Sequence, residues 1–247
     1  MRRLVQHCLV VAPVALAMAC GGSSTIEPGA GGGGGASSSS STGTSSTSSG
    51  SSCADFLPPG DLGSSVAIRI QNDTAADLFI GDPYQSCGPV QTYALFDASG
   101  EPPSTEPLLG SLTDCAWSCE QLQSTDCACA AGCMAPHVIR VAAGGALVTE
   151  WVGYLYADTE MPAECFFDPM CAPSCLLETV APAEVQVRAT VYPTVSCGGG
   201  SGECTCELDA DGSCTIWEGT PTVSGTAVEA STTWNAGEAT VTVAFVP

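Results

Sequence analysis

The chain has 247 residues, with 26 acidic side chains, five arginines, no lysine and a formal net charge of −21. Nucleic acid and anionic headgroups are gripped through clustered Lys and Arg, so this composition all but excludes both as partners of the folded part. The missing lysines remove P-loop, Schiff-base and Ser-x-x-Lys chemistry, and the two histidines, His7 and His137, build neither HExxH nor a three-His zinc site.

Met1-Arg2-Arg3 supply a positive start, and LVQHCLVVAPVALAMA follows as an apolar run interrupted by Pro13. That layout is a secretory signal, too short and too broken for a membrane-spanning helix. Ala17-Met18-Ala19 then leads into Cys20, Gly21 and Gly22. LAMACGG resembles the lipobox of bacterial lipoproteins, where a small residue precedes a cysteine that is acylated and becomes the mature N-terminus. Ala19 fits the position before the cysteine. Leu16 supplies the leucine one place early, and Ala17 stands where that family has Leu.

The resemblance implies a signal over 1–19, lipid of the palmitate type on Cys20, and a membrane anchored through it. Gly21 in place of Asp implies export to the outer membrane or cell surface. A cut by the ordinary signal peptidase, leaving a soluble protein, is the competing outcome. Without 1–19 the chain keeps Arg69, Arg140 and Arg188 against 26 acids, a formal −23. Of the 16 cysteines, Cys8 leaves with the signal and Cys20 takes lipid, so an even 14 remain, all from Cys53 onward.

Residues 20–52 are dominated by Gly, Ser, Thr and Ala, which bury too little apolar surface to offset the entropy of ordering. They are expected to form a disordered tether with an r.m.s. reach of roughly 30 Å. The folded domain is then 53–247.

In that domain VAIRIQN alternates apolar and polar side chains, the period of a half-buried strand. ADLFIGD and TYALFDASG read as further strands. HVIRVAAGGALVTEWVGYLY reads as two strands about Gly144-Gly145, and AEVQVRATVYP as another. TVSGTAVEASTTW and EATVTVAFV flank Asn235-Ala236-Gly237 as a hairpin. No helical period of useful length occurs; the best helical stretch is a turn at Cys119-Glu-Gln-Leu-Gln. Eight or so short strands predict an all-β, antiparallel, immunoglobulin-like sandwich.

The cysteines cluster as Cys115, Cys119, Cys127, Cys129 and Cys133, then Cys165, Cys171 and Cys175, then Cys197, Cys204, Cys206 and Cys214, with Cys53 and Cys87 alone. An exported chain meets an oxidising compartment, so disulfides are expected over metal thiolates. The two odd groups must each send a bond elsewhere, with pairing otherwise open. Residues 113–135 read as a stapled insertion unable to carry a core.

ELDADGSCTIWE approaches an EF-hand loop, with Glu207, Asp209, Asp211 and Glu218 at positions one, three, five and twelve and Gly212 at six. Glu207 replaces the usual Asp, and the flanks do not suit helices. The competing reading is a hairpin with a Cys206–Cys214 bridge. Weak Ca²⁺ is therefore the one cofactor expectation, and no catalytic residue is assigned.

Function narrows to a tethered, disulfide-stapled binding or structural domain, expected to be monomeric, with a protein or glycan ligand. Trp117, Tyr154, Tyr156 and Trp217 are the aromatic candidates for sugar stacking. A protease inhibitor with an immunoglobulin-like domain and a small secreted hydrolase are the alternatives. The whole chain resembles the cysteine-rich exported lipoproteins of Gram-negative soil bacteria, a group with no assigned activity to carry over.

Overall fold

The computed structural model describes residues 52–83, 89–98, 108–111, 115–128, 135–198 and 204–247. The expected signal over 1–19, Cys20, the expected tether up to residue 51, and Cys87, Cys129 and Cys133 lie outside the described residues. Strands dominate: β1 Val66–Asn72, β2 Leu78–Ile80, β3 Ala94–Asp97, β4 Val138–Val141, β5 Ala146–Trp151, β6 Tyr154–Glu160 and β7 Ser174–Val180. After them come β8 Glu184–Val191, β9 Thr194–Cys197, β10 Ser213–Ile216, β11 Pro221–Ser224, β12 Val228–Asn235 and β13 Thr240–Phe245. They form small open sheets in the orders β13-β1-β5, β12-β8-β3, β10-β4-β2, β11-β9 and β6-β7. No helix among the described residues is long and apolar enough to cross a membrane.

The alternation visible in VAIRIQN is realised in β1, where Val66, Ile68, Ile70 and Asn72 are buried and the residues between are half-buried. β8 repeats the pattern with Val185, Val187, Ala189 and Val191. These two central strands meet in one core with Trp151, Trp234, Leu95, Val241, Val243 and Phe245. Asn72 ends β1 fully buried and is satisfied on both sides. Its amide donates to the carbonyls of Ala76, Val141 and Ala142 at 2.8, 3.0 and 3.1 Å. Its carbonyl oxygen accepts from the Thr74 N–H and hydroxyl at 3.1 and 2.7 Å.

Several sequence expectations change. One pairing is parallel: β1 runs with β13, Ala67 opposite Thr240 through Asn72 opposite Phe245. A parallel pair needs a long connection, and almost the whole domain separates these two strands. The stretch 138–160 makes three strands, because the chain turns at Gly153, where φ is +83°. The 228–245 segment is no hairpin. Gly237 does take a left-handed φ of +94°, but β12 pairs with β8 and β13 with β1. Trp234 and Val243 enter the shared core from two sheets, and that burial outweighs pairing with each other. β7 has no signal in the sequence, since CLLETV carries no clean alternation.

Residues 113–135 were expected to carry no core, yet their described part helps build a second one. Cys119 and Leu122 pack with Phe56, Met161, Cys165, Phe166 and Cys175. The helical turn α1, Cys119–Leu122, is held by a capping box between Ser118 and Gln121. Disulfides Cys53–Cys165, Cys119–Cys175 and Cys127–Cys171 stitch the domain's start, this segment and the chain around β7 into one unit. Cys197–Cys204 and Cys206–Cys214 close short loops elsewhere.

Candidate functional site

β6 and β7 pair antiparallel in the register Tyr154↔Val180, Tyr156↔Glu178, Asp158↔Leu176 and Glu160↔Ser174. Alternation sends Leu155 into the main core and Cys175 and Leu177 against the second. The opposite face therefore carries Tyr154, Tyr156, Asp158 and Glu178. The two tyrosine rings meet edge to face, centroids 5.4 Å apart and planes at 71°, and the Tyr156 hydroxyl donates to that of Tyr154 at 3.4 Å.

Burial, then the Tyr154 hydroxyl, then the charge of Glu178 push the Tyr156 phenol well above its ordinary range. Burial, then the charge of Glu120 on α1, raise the Glu178 carboxyl. The face presents phenol hydroxyls, which donate and accept, beside acidic side chains whose carboxylates accept. It suits a neutral hydroxylated ligand and repels anions.

Trp117 lies alongside β7, its carbonyl accepting from the Leu176 N–H at 3.1 Å. A groove of about 310 Å³ runs between Trp117, Asp158, Ser174, Leu176 and the Cys127–Cys171 bridge. The Trp117 indole N–H is buried and has no hydrogen-bond partner among the described residues. Trp117, Tyr154 and Tyr156 thus all belong to the β6–β7 sheet and its flank. Trp217 does not join them. It is 51 % exposed and stacks on His137, centroids 4.3 Å apart and planes at 23°. The Nδ1 of His137 lies 3.3 Å from the Ala135 carbonyl oxygen.

The EF-hand-like residues are not gathered. The Asp209 carboxylate is turned onto its own loop, accepting from the N–H groups of Asp211 and Ser213 at 3.0 and 2.9 Å and from the Ser213 hydroxyl at 2.8 Å. These bonds, the Ser213 N–H foremost, hold its carboxyl below the usual range. Asp211 lies 4.0 Å from Arg69. β10 then runs extended between Asp211 and Glu218, and its four residues cover roughly 13 Å, too far for one ion. Glu207 is exposed. Among the described residues, no three His, Cys, Asp or Glu side chains form a metal-holding group. The expected hairpin partner of β10 is replaced too: β10 pairs with β4, Cys214 opposite Arg140, because Ile216 buries itself beside Val138 there. Cys206 still reaches Cys214 by a disulfide, and Cys115 is disulfide-bonded as well.

A second groove, about 150 Å³, brings together residues that no sequence motif marks. It lies on the outer side of β3 and β8, where the Arg188 guanidinium sits 4.0 Å above the Phe96 ring and donates to Gln186 at 2.7 Å. Arg69 and Arg140 each face an aspartate, at 4.0 and 2.7 Å, whereas Arg188 forms no ion pair among the described residues. The scarcity of arginine was the available signal. Tyr93, at the groove's rim, donates to the Glu150 carbonyl at 3.2 Å, and burial pushes its phenol to about 12.

Comparison with protein-family models, with curated proteins and with solved structures finds no match for this chain.

Proposed function

We propose that the chain is an exported binding module, held to the cell envelope by lipid on Cys20 and displayed on the 20–52 tether. Its scaffold is an immunoglobulin-like sandwich, a reading supported by the single core that β1 and β8 share. The observation that carries the proposal is the disulfide network, five bridges among the described residues. Disulfides form and persist in oxidising, extracytoplasmic compartments. Two or more acyl chains on Cys20 hold a protein stably at a bilayer, where one holds only marginally.

The ligand-facing surface is the Tyr154–Tyr156–Glu178 face, and a neutral hydroxylated ligand, such as a glycan, fits its chemistry. Mass spectrometry of the mature N-terminal peptide from a bacterial host tests the anchor: an acylated Cys20 is expected, and an unmodified one overturns it. An array of neutral glycans tests the ligand class. Binding that falls at least about tenfold in Tyr156→Ala, the loss of one stacked aromatic contact, supports it. Silence across the array removes glycans from consideration.

A further inference from the structure

Phe167 and Met170 are 67 % and 87 % exposed, while the adjoining Phe166 is buried. They stand on the loop from Cys165 to Cys171, and the scaffold fixes that loop at both ends. Cys165 is bonded to Cys53 and Cys171 to Cys127. Between them the Phe167 N–H donates to the Leu122 carbonyl at 2.8 Å. The Asp168 carboxylate caps the turn Pro169–Cys171 by accepting from the Met170 N–H at 3.0 Å. Two large apolar side chains are thus held outward by a preorganised frame, where a slack loop would fold them in.

The place of the loop matters as much as its shape. The chain enters the domain at Cys53, whose Cα lies 5.3 Å from that of Cys165. Leu57, 43 % exposed, follows the turn Cys53–Phe56 directly. The apolar tip therefore sits at the root of the segment that leads back to Cys20.

We propose that Phe167 and Met170, together with Leu57 close after the entry at Cys53, seat in the headgroup–acyl boundary of the bilayer that holds Cys20. The loop is then the membrane-facing foot of the domain. This inference rests on the lipid-anchor reading. Free in solution, so small an apolar tip would bind vesicles weakly. A tether with an r.m.s. reach of roughly 30 Å keeps the tip at a high local concentration beside the surface, so weak insertion suffices. The loop carries Asp168 and neighbours Glu164 but has no Lys or Arg, which favours zwitterionic over anionic lipid. A protease cleft fits less well, since proteases read extended backbone and Pro169–Cys171 is a 3-10 turn.

The test uses the full lipidated chain carrying Phe167→Trp, reconstituted in phosphatidylcholine vesicles with ordinary or brominated acyl chains. Relative to the parent protein, the added emission is expected to be blue-shifted and to lose at least about half its intensity in brominated lipid, as for an indole in the interface. Met170→Trp repeats the reading at the second residue. Adding Leu57→Ser and Met170→Ser to Phe167→Trp is expected to relieve the quenching. A chain that floats with the vesicles while its added tryptophan stays unquenched overturns insertion and leaves the anchor standing. A chain that does not float overturns both. Inhibition of a serine-protease panel that is lost in Met170→Ser would assign the loop to a protein partner and overturn the membrane assignment.

Discussion

The indole of Trp151 meets that of Trp234 edge to face, with ring centroids 4.9 Å apart and planes at 82°. β5 and β12 belong to different sheets, so this contact joins two sheets through their shared core. Neither ring leaves its N–H unpaired: Trp151 donates to the Tyr154 carbonyl and Trp234 to the Glu238 carbonyl, both at 2.8 Å. Trp151→Ala is expected to cost about 3–5 kcal/mol, the loss of a fully buried indole plus the cavity it leaves. A double-mutant cycle with Trp234→Ala should show about 0.5–1.5 kcal/mol of coupling. Urea unfolding measures both, and strict additivity would contradict the contact.

The bridges should be unequal. Cys53–Cys165 spans 112 residues and Cys197–Cys204 only 7. Loop-closure entropy predicts roughly 5 kcal/mol for the first and roughly 2.4 for the second, by the chain-entropy model. Paired Cys→Ser variants, compared by thermal melting, should rank in that order. Equal losses would mean that the unfolded chain is not the main site of stabilisation.

Gly153 and Gly237 both have a left-handed φ, +83° and +94°, but differ in surroundings. A Cβ at Gly153 would run into the Ser64 carbonyl, whereas one at Gly237 meets nothing within 4 Å. Gly237→Ala should cost about 1–2 kcal/mol, the left-handed penalty alone. Gly153→Ala should cost more, through that penalty plus displacement of the Ser64 backbone. Equal costs would argue against the close approach.

Glu178 has its carboxyl raised by burial first and by Glu120 second. An acid whose folded value is raised stabilises the fold fully below its unfolded value, and that contribution is lost as pH rises through the folded one. Glu178→Gln should therefore match the parent at acid pH and exceed it above the carboxylate range. The gain should be about 0.5 kcal/mol or less, since the group is partly solvated. Melting curves across that range check the sign, and a variant less stable at neutral pH would refute it.

What the sequence determined is whatever rests on local alternation and composition. β1 and β8 were legible because burial on one face imposes period two on the side chains, as Val66, Ile68, Ile70 and Val185, Val187, Val191 display. The short helical turn at Cys119 and the odd grouping of the cysteines were legible for similar reasons: capping residues and parity are local or countable. Partner choice was not. That β10 chooses β4 over the preceding CTCELD, that β13 lies parallel to β1, and that Cys119 bonds to Cys175 all depend on which distant surfaces bury the most apolar area together. The same holds for function. Tyr154 and Tyr156 were nameable from the chain, but only the β6–β7 register sets Glu178 opposite Tyr156, and only the packing of the second core turns Phe166 in while Phe167 and Met170 stand out.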